Sequence, residues 1–360
     1  FKEILESFNI KSELLVGSLT KKQKEKVLQK VKNQEIDILI GTHALIEDKV
    51  EFKNLGMVIT DEQHRFGVRQ RGRLSNKGDS PDILVMTATP IPRTLALILY
   101  GDLDISIIDE LPPGRQPIET IAIEYKRRKE AYENLVRDEV EKGRQVYVVC
   151  PLVEESEKIE ATAASELVEE LKREFFSDLR VGLLHGKMRP SEKDAVMDDF
   201  KNKKLDILVS TTVIEVGVNV PNATLMIIEN AERFGLAQLH QLRGRVGRGK
   251  HKSYCILIYN SKTEVCKERM AIMEETTDGF KISQKDLEIR GPGEFFGTRQ
   301  HGLPELRVAN IFKHIKILKQ AQLEARYIIG QDSKLQLIEN KKIKEEILYK
   351  FSEREEISLN

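Results

Sequence analysis

Short runs of apolar residues recur along most of the chain, and polar, helix-like stretches separate them. The runs are rich in Val, Ile and Leu and end in small or polar residues, as at residues 37–42 (DILIGT). Apolar runs of this kind, alternating with helices, predict parallel sheets joined by right-handed crossovers. Strands are predicted at residues 36–41, 57–60, 83–87, 145–150, 181–184, 205–210, 224–229 and 253–259.

Two of the intervening stretches carry helix-start signals. Residues 20–32 begin with Thr20 and Gln23, which have the spacing of a capping box. Residues 190–201 begin with Pro190, which suits the first turn of a helix. Both stretches are therefore predicted to be helices that connect neighbouring strands.

The chain contains an internal duplication. Residues 37–42 (DILIGT) recur as residues 206–211 (DILVST), and the same spacing relates residues 57–59 (MVI) to residues 226–228 (MII). A unit used twice predicts two α/β lobes in tandem. The proline-rich residues 111–114 (LPPG) are the expected hinge between them.

Composition excludes several classes of protein. Basic and acidic residues number 58 each, so no overall charge indicates a nucleic-acid partner. The three cysteines show neither paired nor metal-ligand spacing, which favours a reducing compartment such as the cytoplasm and argues against a zinc site. There is no signal peptide and no apolar segment of the roughly 18 residues that a membrane span needs. Because the chain starts without Met in a helix-like stretch (FKEILESF), we expect it to be part of a longer protein.

Polar residues follow the predicted strands at the edge of each sheet where ligands bind. In open α/β sheets this edge lies beyond the carboxyl ends of the strands. Two such edges facing each other would form a cleft, in which adjacent carboxylates could hold Mg²⁺ and polarise a water molecule. The residues concerned are Asp61, Glu62 and residues 87–89 in the first lobe, and Thr211, Gly217 and Asn219 in the second.

Three arginines lie in the glycine-rich residues 241–248 (QLRGRVGR), just before the last predicted strand. The glycines allow the backbone to approach a ligand closely. A structural arginine would more often have a carboxylate nearby in sequence, and this loop has none. Arginines presented in this way suit the charge that builds up on a transferring phosphoryl group.

Four segments, in this order, resemble motifs II, III, V and VI of the superfamily 2 helicases: residues 61–64 (DEQH), 87–90 (TATP), 210–220 and 241–248. The resemblance implies an α/β fold of two RecA-like parallel-sheet lobes in tandem. The first lobe would be truncated at its N-terminus, and a mainly helical C-terminal region would follow the second. The implied divisions are residues 1–112 for the remainder of the first lobe, 113–260 for the second lobe and 261–360 for the C-terminal region.

The same resemblance implies hydrolysis of ATP with Mg²⁺. Asp61 would hold Mg²⁺ through its waters, and Glu62 would be the general base for the attacking water. Arg245 and Arg248 would be the arginine fingers. The residues expected to contact the nucleotide are Gly217, Asn219 and Gln241, with the difference that many relatives carry Asp in place of Asn219.

Further residues are expected to transmit the nucleotide state and to hold DNA. The resemblance implies that those coupling the nucleotide to the interface between the lobes are Gln63, His64, Thr87 and Thr89. Those contacting DNA phosphates would be Thr42, His43, Gly186 and Thr211.

One motif of the family does not occur in the chain. A phosphate-binding loop of the form G-x-x-x-x-G-K-[ST] is absent from the sequence. In the family this loop precedes motif II, upstream of the point where this chain starts. We therefore expect the intact protein to be the active enzyme and this chain alone to bind ATP poorly.

The C-terminal third resembles the translocation segment shared by the RecG and Mfd families. Composition alone would assign residues 286–294 (DLEIRGPGE) to a linker. However, residues 291–300 (GPGEFFGTRQ) followed by residues 302–310 (GLPELRVAN) resemble the RecG family more than the Mfd family. In both families a helical hairpin and loop convert lobe closure into a push on duplex DNA. The implied coupling residues are Arg269, Arg290 and Gln300.

These features predict the motor part of an ATP-dependent DNA helicase that acts on branched DNA, in fork regression and Holliday junction migration during recombination and repair. The expected partner is branched or duplex DNA, with single-strand-binding protein as a further candidate, and a monomer without membrane association is expected. Two alternatives stay open: an Mfd-like translocase acting on stalled RNA polymerase, and a non-catalytic DNA-binding fragment that lacks the phosphate loop. An RNA helicase is disfavoured, because the C-terminal segment has no role in that scheme.

Overall fold

The computed structural model describes residues 2–17, 19–62, 77–88, 104–112, 114–151, 157–211, 220–295 and 314–351. The chain divides into two compact units, Phe1–Thr89 and Pro90–Asn360. Among the described residues, no helix has the length and apolar character needed to cross a bilayer.

The first unit contains two pairs of parallel strands. Strand β1 (Ser12–Leu15) pairs with β2 (Ile38–Gly41), and β3 (Met57–Thr60) pairs with β4 (Asp82–Val85). Three of these four strands match predictions from the sequence, with small shifts at their ends. The pattern did not predict β1, in which two polar residues precede only two apolar ones (SELL). The short helix α1 (Lys2–Glu6) precedes it.

Helix α2 (Lys21–Lys32) of the first unit starts where its sequence signals predict. The Thr20 side chain accepts a hydrogen bond from the Gln23 N–H, and the Gln23 side chain accepts one from the Thr20 N–H at 2.9 Å. An N-cap of this kind stabilises a helix by about 1 kcal/mol. The helix covers the strand pair β1–β2. The buried apolar residues between them include Val27 and Val31 of the helix, Leu15 of β1 and Val50.

The second unit is built on a six-stranded parallel sheet with the order β5-β10-β9-β6-β8-β7. All of these strands except β5 were predicted from the sequence. Their bounds are β5 (Ile118–Glu124), β6 (Gln145–Val149), β7 (Val181–Leu184), β8 (Ile207–Ser210), β9 (Ala223–Ile228) and β10 (Ser253–Tyr259).

Both faces of this sheet are buried in apolar clusters. Successive side chains of a strand point to opposite faces and so enter different clusters. In β6, Tyr147 and Val149 pack into one apolar cluster, and Val146 and Val148 pack into the other. The helices that follow the strands are α3 (Arg128–Glu130, a π-helical stretch Ala131–Val136, and Arg137–Glu141), α4 (Glu157–Glu174), α5 (Pro190–Lys201) and α6 (Leu236–Arg243). Helix α5 confirms the prediction made from Pro190.

A buried ion pair fixes α3 to the carboxyl end of β9. Arg128 Nε donates to Glu229 Oε1 at 2.6 Å, and its Nη1 donates to Glu170 Oε1 at 2.6 Å. The hydroxyl of Tyr132 donates to the same Glu229 oxygen at 2.6 Å. Burial opposes the charge of Arg128, but Glu229 outweighs it and raises the pKa of the guanidinium. This network holds the backbone just ahead of the segment that leads into α6.

The C-terminal region of the described chain is helical. Helices α7 (Glu264–Glu275) and α8 (Gly279–Phe295) pack on each other and on α6. Helix α8 continues through the Gly-Pro-Gly of residues 291–293, where composition suggested a linker. The side chain of Asp278 accepts hydrogen bonds from the first turn of α8, including the Phe280 N–H at 2.9 Å. Two more helices follow, α9 (Ile315–Gln331) and α10 (Lys341–Phe351).

Candidate functional site

The adjacent carboxylates lie directly after β3, as the sequence predicts. Thr60 is buried, Asp61 is exposed and Glu62 is half-buried. The Glu62 N–H donates to Asp61 Oδ1 at 2.8 Å. Glu62 has φ = 50°, in the left-handed region that residues with a Cβ rarely adopt. Strain of this kind is frequent at functional sites.

Other predicted residues of the first unit also follow strand ends, Thr87 in the same strand pair as Glu62 and Thr42 in the other pair. Thr60 is in register with Val85, and the Met86 N–H donates to the Thr60 carbonyl at 2.8 Å. Glu62 and Thr87 therefore follow adjacent, paired strand ends. Thr42 follows β2 and lies at the start of a 3₁₀ turn, His43–Ile46. Of the other residues predicted here, Gln63, His64 and Thr89 lie outside the described residues.

In the second unit, two polar atoms at the ends of β7 and β8 are buried without a hydrogen-bond partner in the part of the chain that the structure describes. They are His185 Nδ1 and Thr211 Oγ1. Leu184 and Ser210 are in register, so the two side chains follow neighbouring strand ends. Burial, with help from Lys193 and Lys187, lowers the pKa of His185. Two buried polar atoms of this kind could form hydrogen bonds to a polar ligand.

Two of the residues predicted for this edge lie in the described part of the second unit. Thr211 and Gly186 lie there, and the Gly186 carbonyl accepts a hydrogen bond from Lys193 Nζ at 2.6 Å. Gly217 and Asn219 lie outside the described residues. Sequence reasoning missed His185, although its position between a predicted strand and Gly186 was a usable signal.

The arginine loop, residues 244–252, follows α6 and turns sharply into β10. Gly247 has φ = 74°, and a Cβ there would lie 2.7 Å from Ile118 Cγ1, so only glycine fits. Gln241 is half-buried in the last turn of α6, Arg245 is half-buried and Arg248 is exposed. The loop thus presents two guanidinium groups on a backbone that glycine holds in place.

Arg115, which sequence reasoning missed, joins this loop from the segment before β5. Its Nη2 donates to the Gly244 carbonyl at 3.1 Å, and Arg248 Nε donates to the same carbonyl at 3.2 Å. Partial burial, together with the guanidinium groups of Arg245 and Arg115, lowers the pKa of Arg248. Three like charges held together make a strongly electropositive site.

The first arginine of the motif, Arg243, has a different role from the other two. It is 2% exposed, and its Nη1 donates to the Met273 carbonyl at 2.9 Å and to the Thr276 carbonyl at 3.0 Å. These carbonyls lie at the C-terminal end of α7, where a cation is favourable. Its Nη2 lies 3.2 Å from His240 Nδ1. Arg243 therefore ties the arginine helix α6 to the helix that precedes the translocation segment.

Arg269, a predicted coupling residue, connects α7 to the segment that precedes α6. It projects from α7 and donates to the Glu232 carbonyl at 3.0 Å and to the Phe234 carbonyl, both of which precede α6. Arg290 lies within α8, and its side chain lies outside the described residues, as does all of Gln300. The geometry of Arg269 is compatible with coupling, which stays a prediction.

Neither the cysteines nor the other described residues form a metal centre. Cys150, Cys255 and Cys266 are unpaired and buried, and burial raises the pKa of the Cys150 and Cys255 thiols to about 12. No cluster of three or more His, Cys, Asp or Glu that could hold a metal occurs among the described residues. A single exposed carboxylate such as that of Asp61 suits Mg²⁺ that keeps most of its waters and binds through nucleotide phosphates.

Three family models match the chain in succession. The DEAD/DEAH box helicase model matches residues 1–98, the helicase conserved C-terminal domain model matches residues 127–250, and the model of domain 3, C-terminal, of the ATP-dependent DNA helicase RecG matches residues 276–352. The matches fall in the same order as the motifs.

Curated relatives agree with these matches. The chain is 56% identical over 320 residues to the ATP-dependent DNA helicase RecG of Streptococcus pneumoniae, covering 89% of this chain and 48% of the relative. It is 52% identical over 330 residues to the protein of the same name from Bacillus subtilis, covering 92% of this chain and 48% of that one. The chain thus spans about half the length of the curated relatives that it matches.

Solved structures show the same relationship. A structure of RecG bound to a three-way DNA junction matches with a TM-score of 0.67 and 49% identity, covering 88% of this chain and 41% of that chain. Yeast Dbp5 bound to RNA and ADP BeF3 matches with a TM-score of 0.54 and 18% identity over 81% of this chain and 71% of that one, which shows the shared fold. Over the region that it covers, the chain is therefore similar in sequence and in fold to RecG proteins.

Proposed function

We propose that the protein carrying this chain is an ATP-dependent DNA helicase that translocates on duplex DNA and acts on branched DNA, in fork regression and Holliday junction migration. The observation that carries the proposal is the identity of 52–56% to RecG proteins across nearly the whole chain, including the translocation segment. A related RecG protein has been seen on a three-way DNA junction. These findings favour a RecG-type enzyme over an Mfd-like translocase or a non-catalytic fragment.

The chain supplies the following parts of this activity. Asp61 would hold Mg²⁺ through water, and Glu62, at the strained end of β3, would accept a proton from the attacking water. Arg245 and Arg248 would stabilise the charge on the transferring phosphoryl group. Gly217, Asn219 and Gln241 would contact the nucleotide. The bound Mg²⁺ and ATP supply the reacting phosphoryl group and its charge neutralisation.

We further propose how the chain holds DNA and passes on the nucleotide state. The Thr211 hydroxyl would donate to a DNA phosphate, which is supported by its position at a strand end and by its lack of a hydrogen-bond partner among the described residues. Thr42, His43 and Gly186 would extend this contact. The coupling residues would be Gln63, His64, Thr87, Thr89, Arg269, Arg290 and Gln300.

The organisation and setting of the protein are also proposals. Residues 1–112 and 113–260 would be the RecA-like lobes, and residues 261–360 the C-terminal region. We propose that the protein is a monomer. The unpaired cysteines favour a reducing compartment, and we propose the cytoplasm. Single-strand-binding protein is a candidate partner.

The decisive experiment is ATP hydrolysis by the full-length protein in the presence of forked or linear duplex DNA of equal length. A RecG-type enzyme should be stimulated more strongly by the fork. Equal stimulation by both substrates would favour a general duplex translocase, and added RNA polymerase would then test the Mfd alternative. Hydrolysis that neither DNA stimulates would reject the motor function altogether.

A further inference from the structure

An open cavity of about 880 Å³ lies beside the arginine loop of the second unit. Its basic lining comes from two separate parts of the chain: Arg115 from the segment before β5, and Arg248, Lys250 and His251 from the loop before β10. Asn222, ahead of β9, adds an amide. The cavity is large enough for the phosphate chain of a nucleotide.

The charge around this cavity has one sign. Among the described residues that line it, none is acidic. Arg115 and Arg248 form no ion pair within the part of the chain that the structure describes, and each donates instead to a backbone carbonyl. Elsewhere in the same unit, arginines meet carboxylates, as Arg180 meets Asp206 at 2.6 Å and Arg127 meets Glu130 at 3.0 Å.

The Gly244 carbonyl holds two of these cations next to each other. Arg115 and Arg248 both donate to it, so their guanidinium groups are fixed close together although the residues lie far apart in sequence. Like charges in such proximity repel each other, and partial burial, followed by the charges of Arg245 and Arg115, lowers the pKa of Arg248. A bound polyanion would convert the repulsion into attraction, because every cation would then face negative charge.

The backbone of Arg115 is anchored independently of the arginine loop. Its N–H donates to the Pro112 carbonyl at 3.2 Å, in a turn that Gly114 closes with φ = 82°. The following strand β5 pairs with β10 along its whole length. The backbone of Arg115 is thus fixed by its own turn and by β5, while its guanidinium rests on the Gly244 carbonyl at the start of the arginine loop.

We infer that Arg115 is a third guanidinium of the nucleotide site and that it binds the phosphate chain of ATP in the ground state. The inference rests on the proposed function, and it adds a division of labour to it. Arg115 would contribute affinity, whereas Arg248 would contribute to turnover. A charge-assisted hydrogen bond to phosphate corresponds to about a ten- to hundredfold change in affinity.

The test compares Arg115→Ala, Arg115→Lys and the control Arg127→Ala in the full-length protein. Arg127 is also an arginine of the second unit, but it is exposed and pairs with Glu130. Equilibrium binding of a fluorescent N-methylanthraniloyl ATP is measured without DNA, and thermal unfolding checks that each variant is folded. We expect Arg115→Ala to weaken binding about ten- to hundredfold, Arg115→Lys to weaken it less, and the control to leave it unchanged.

Three outcomes would overturn the inference. Equal affinity of Arg115→Ala and the control would remove Arg115 from the phosphate site. Unchanged affinity with slower hydrolysis would show that Arg115 only positions the loop through Gly244. Weaker binding to forked DNA in the absence of nucleotide, with intact nucleotide affinity, would assign the cavity to DNA phosphates.

The proposed function can fail separately. If wild-type protein binds the fluorescent ATP through Arg115 but DNA does not stimulate its hydrolysis, the motor proposal fails and the phosphate contact stands. If DNA stimulates hydrolysis and Arg115→Ala matches the control, the contact fails and the motor proposal stands.

Discussion

Protonation of His240 should destabilise the second unit as the pH falls. His240 lies on α6, and its Nδ1 is 3.2 Å from Nη2 of Arg243. Because a guanidinium can only donate, Nδ1 must accept this hydrogen bond, and a proton there would replace it with repulsion between two cations. Burial, with the positive charge of Arg243 as the next contribution, lowers the pKa of His240 to about 4.

The size of the effect follows from the difference between the two pKa values. An imidazole in the unfolded chain has a pKa of 6.5, so the unfolded state takes up the proton first as the pH falls. The free energy of unfolding should therefore be fully retained above about pH 6.5 and should decrease towards pH 4. A difference of about 2.5 pKa units corresponds to a loss of about 3 kcal/mol.

The measurement is urea-induced unfolding of the chain, followed by far-ultraviolet circular dichroism between pH 4 and pH 8. His240→Asn keeps a hydrogen-bond acceptor near the position of Nδ1 without a titrating group, and His251→Asn is the control at an exposed histidine. The stability difference between wild type and His240→Asn should change by about 3 kcal/mol across this range, and the control should run parallel to wild type. Parallel profiles for all three proteins would refute the buried, neutral state of His240.

Three further predictions concern the full-length enzyme. Glu62→Gln should abolish ATP hydrolysis and leave nucleotide binding intact, and turnover that persists in this variant would exclude Glu62 as the base. Arg248→Ala should lower the turnover number on the order of 10³-fold, measured under saturating ATP, whereas Arg127→Ala should not; a loss of only a few-fold would argue against an arginine finger. Gln300→Ala should keep most of the DNA-stimulated hydrolysis and lose fork unwinding, and a parallel loss of both activities would contradict a coupling role.

The main elements of the fold follow from local sequence signals. The capping box at Thr20, the first-turn Pro190 and the apolar runs all mark elements that the structure contains. Strand β5 escaped prediction because polar residues interrupt its apolar run (IETIAIE) and it lies only a few residues beyond the proline-rich hinge. Helix α8 was obscured by Gly291 and Gly293, whose low helix propensity is overridden by packing against α6 and α7.

The candidate site was less accessible to sequence reasoning. Asp61 and the arginine loop carry their chemistry in consecutive residues, and therefore they could be identified. Arg115 and His185 are single residues whose significance comes from partners distant in sequence, as when Arg115 meets Gly244. The role of Arg243 was also hidden, because the motif makes all of its arginines look alike while folding buries only this one among backbone carbonyls.

Arg243 and Arg269 connect α7 to α6 and to the segment before α6 at two separate points. Arg243, at the end of α6, donates hydrogen bonds to the carbonyls at the C-terminal end of α7. Arg269, on α7, donates hydrogen bonds to carbonyls of the segment that precedes α6. Sliding one helix along the other would break hydrogen bonds at both ends, each worth about 1.5–3 kcal/mol because the donor is charged. If nucleotide binding displaces the arginine loop, we expect the displacement to reach α7, because Arg243 and Arg269 hold α7 to α6 and to the segment before it. We therefore expect the loss of unwinding predicted for Gln300→Ala to require the connection between α6 and α7, since independent movement of the two helices would reduce the motion that reaches the translocation segment.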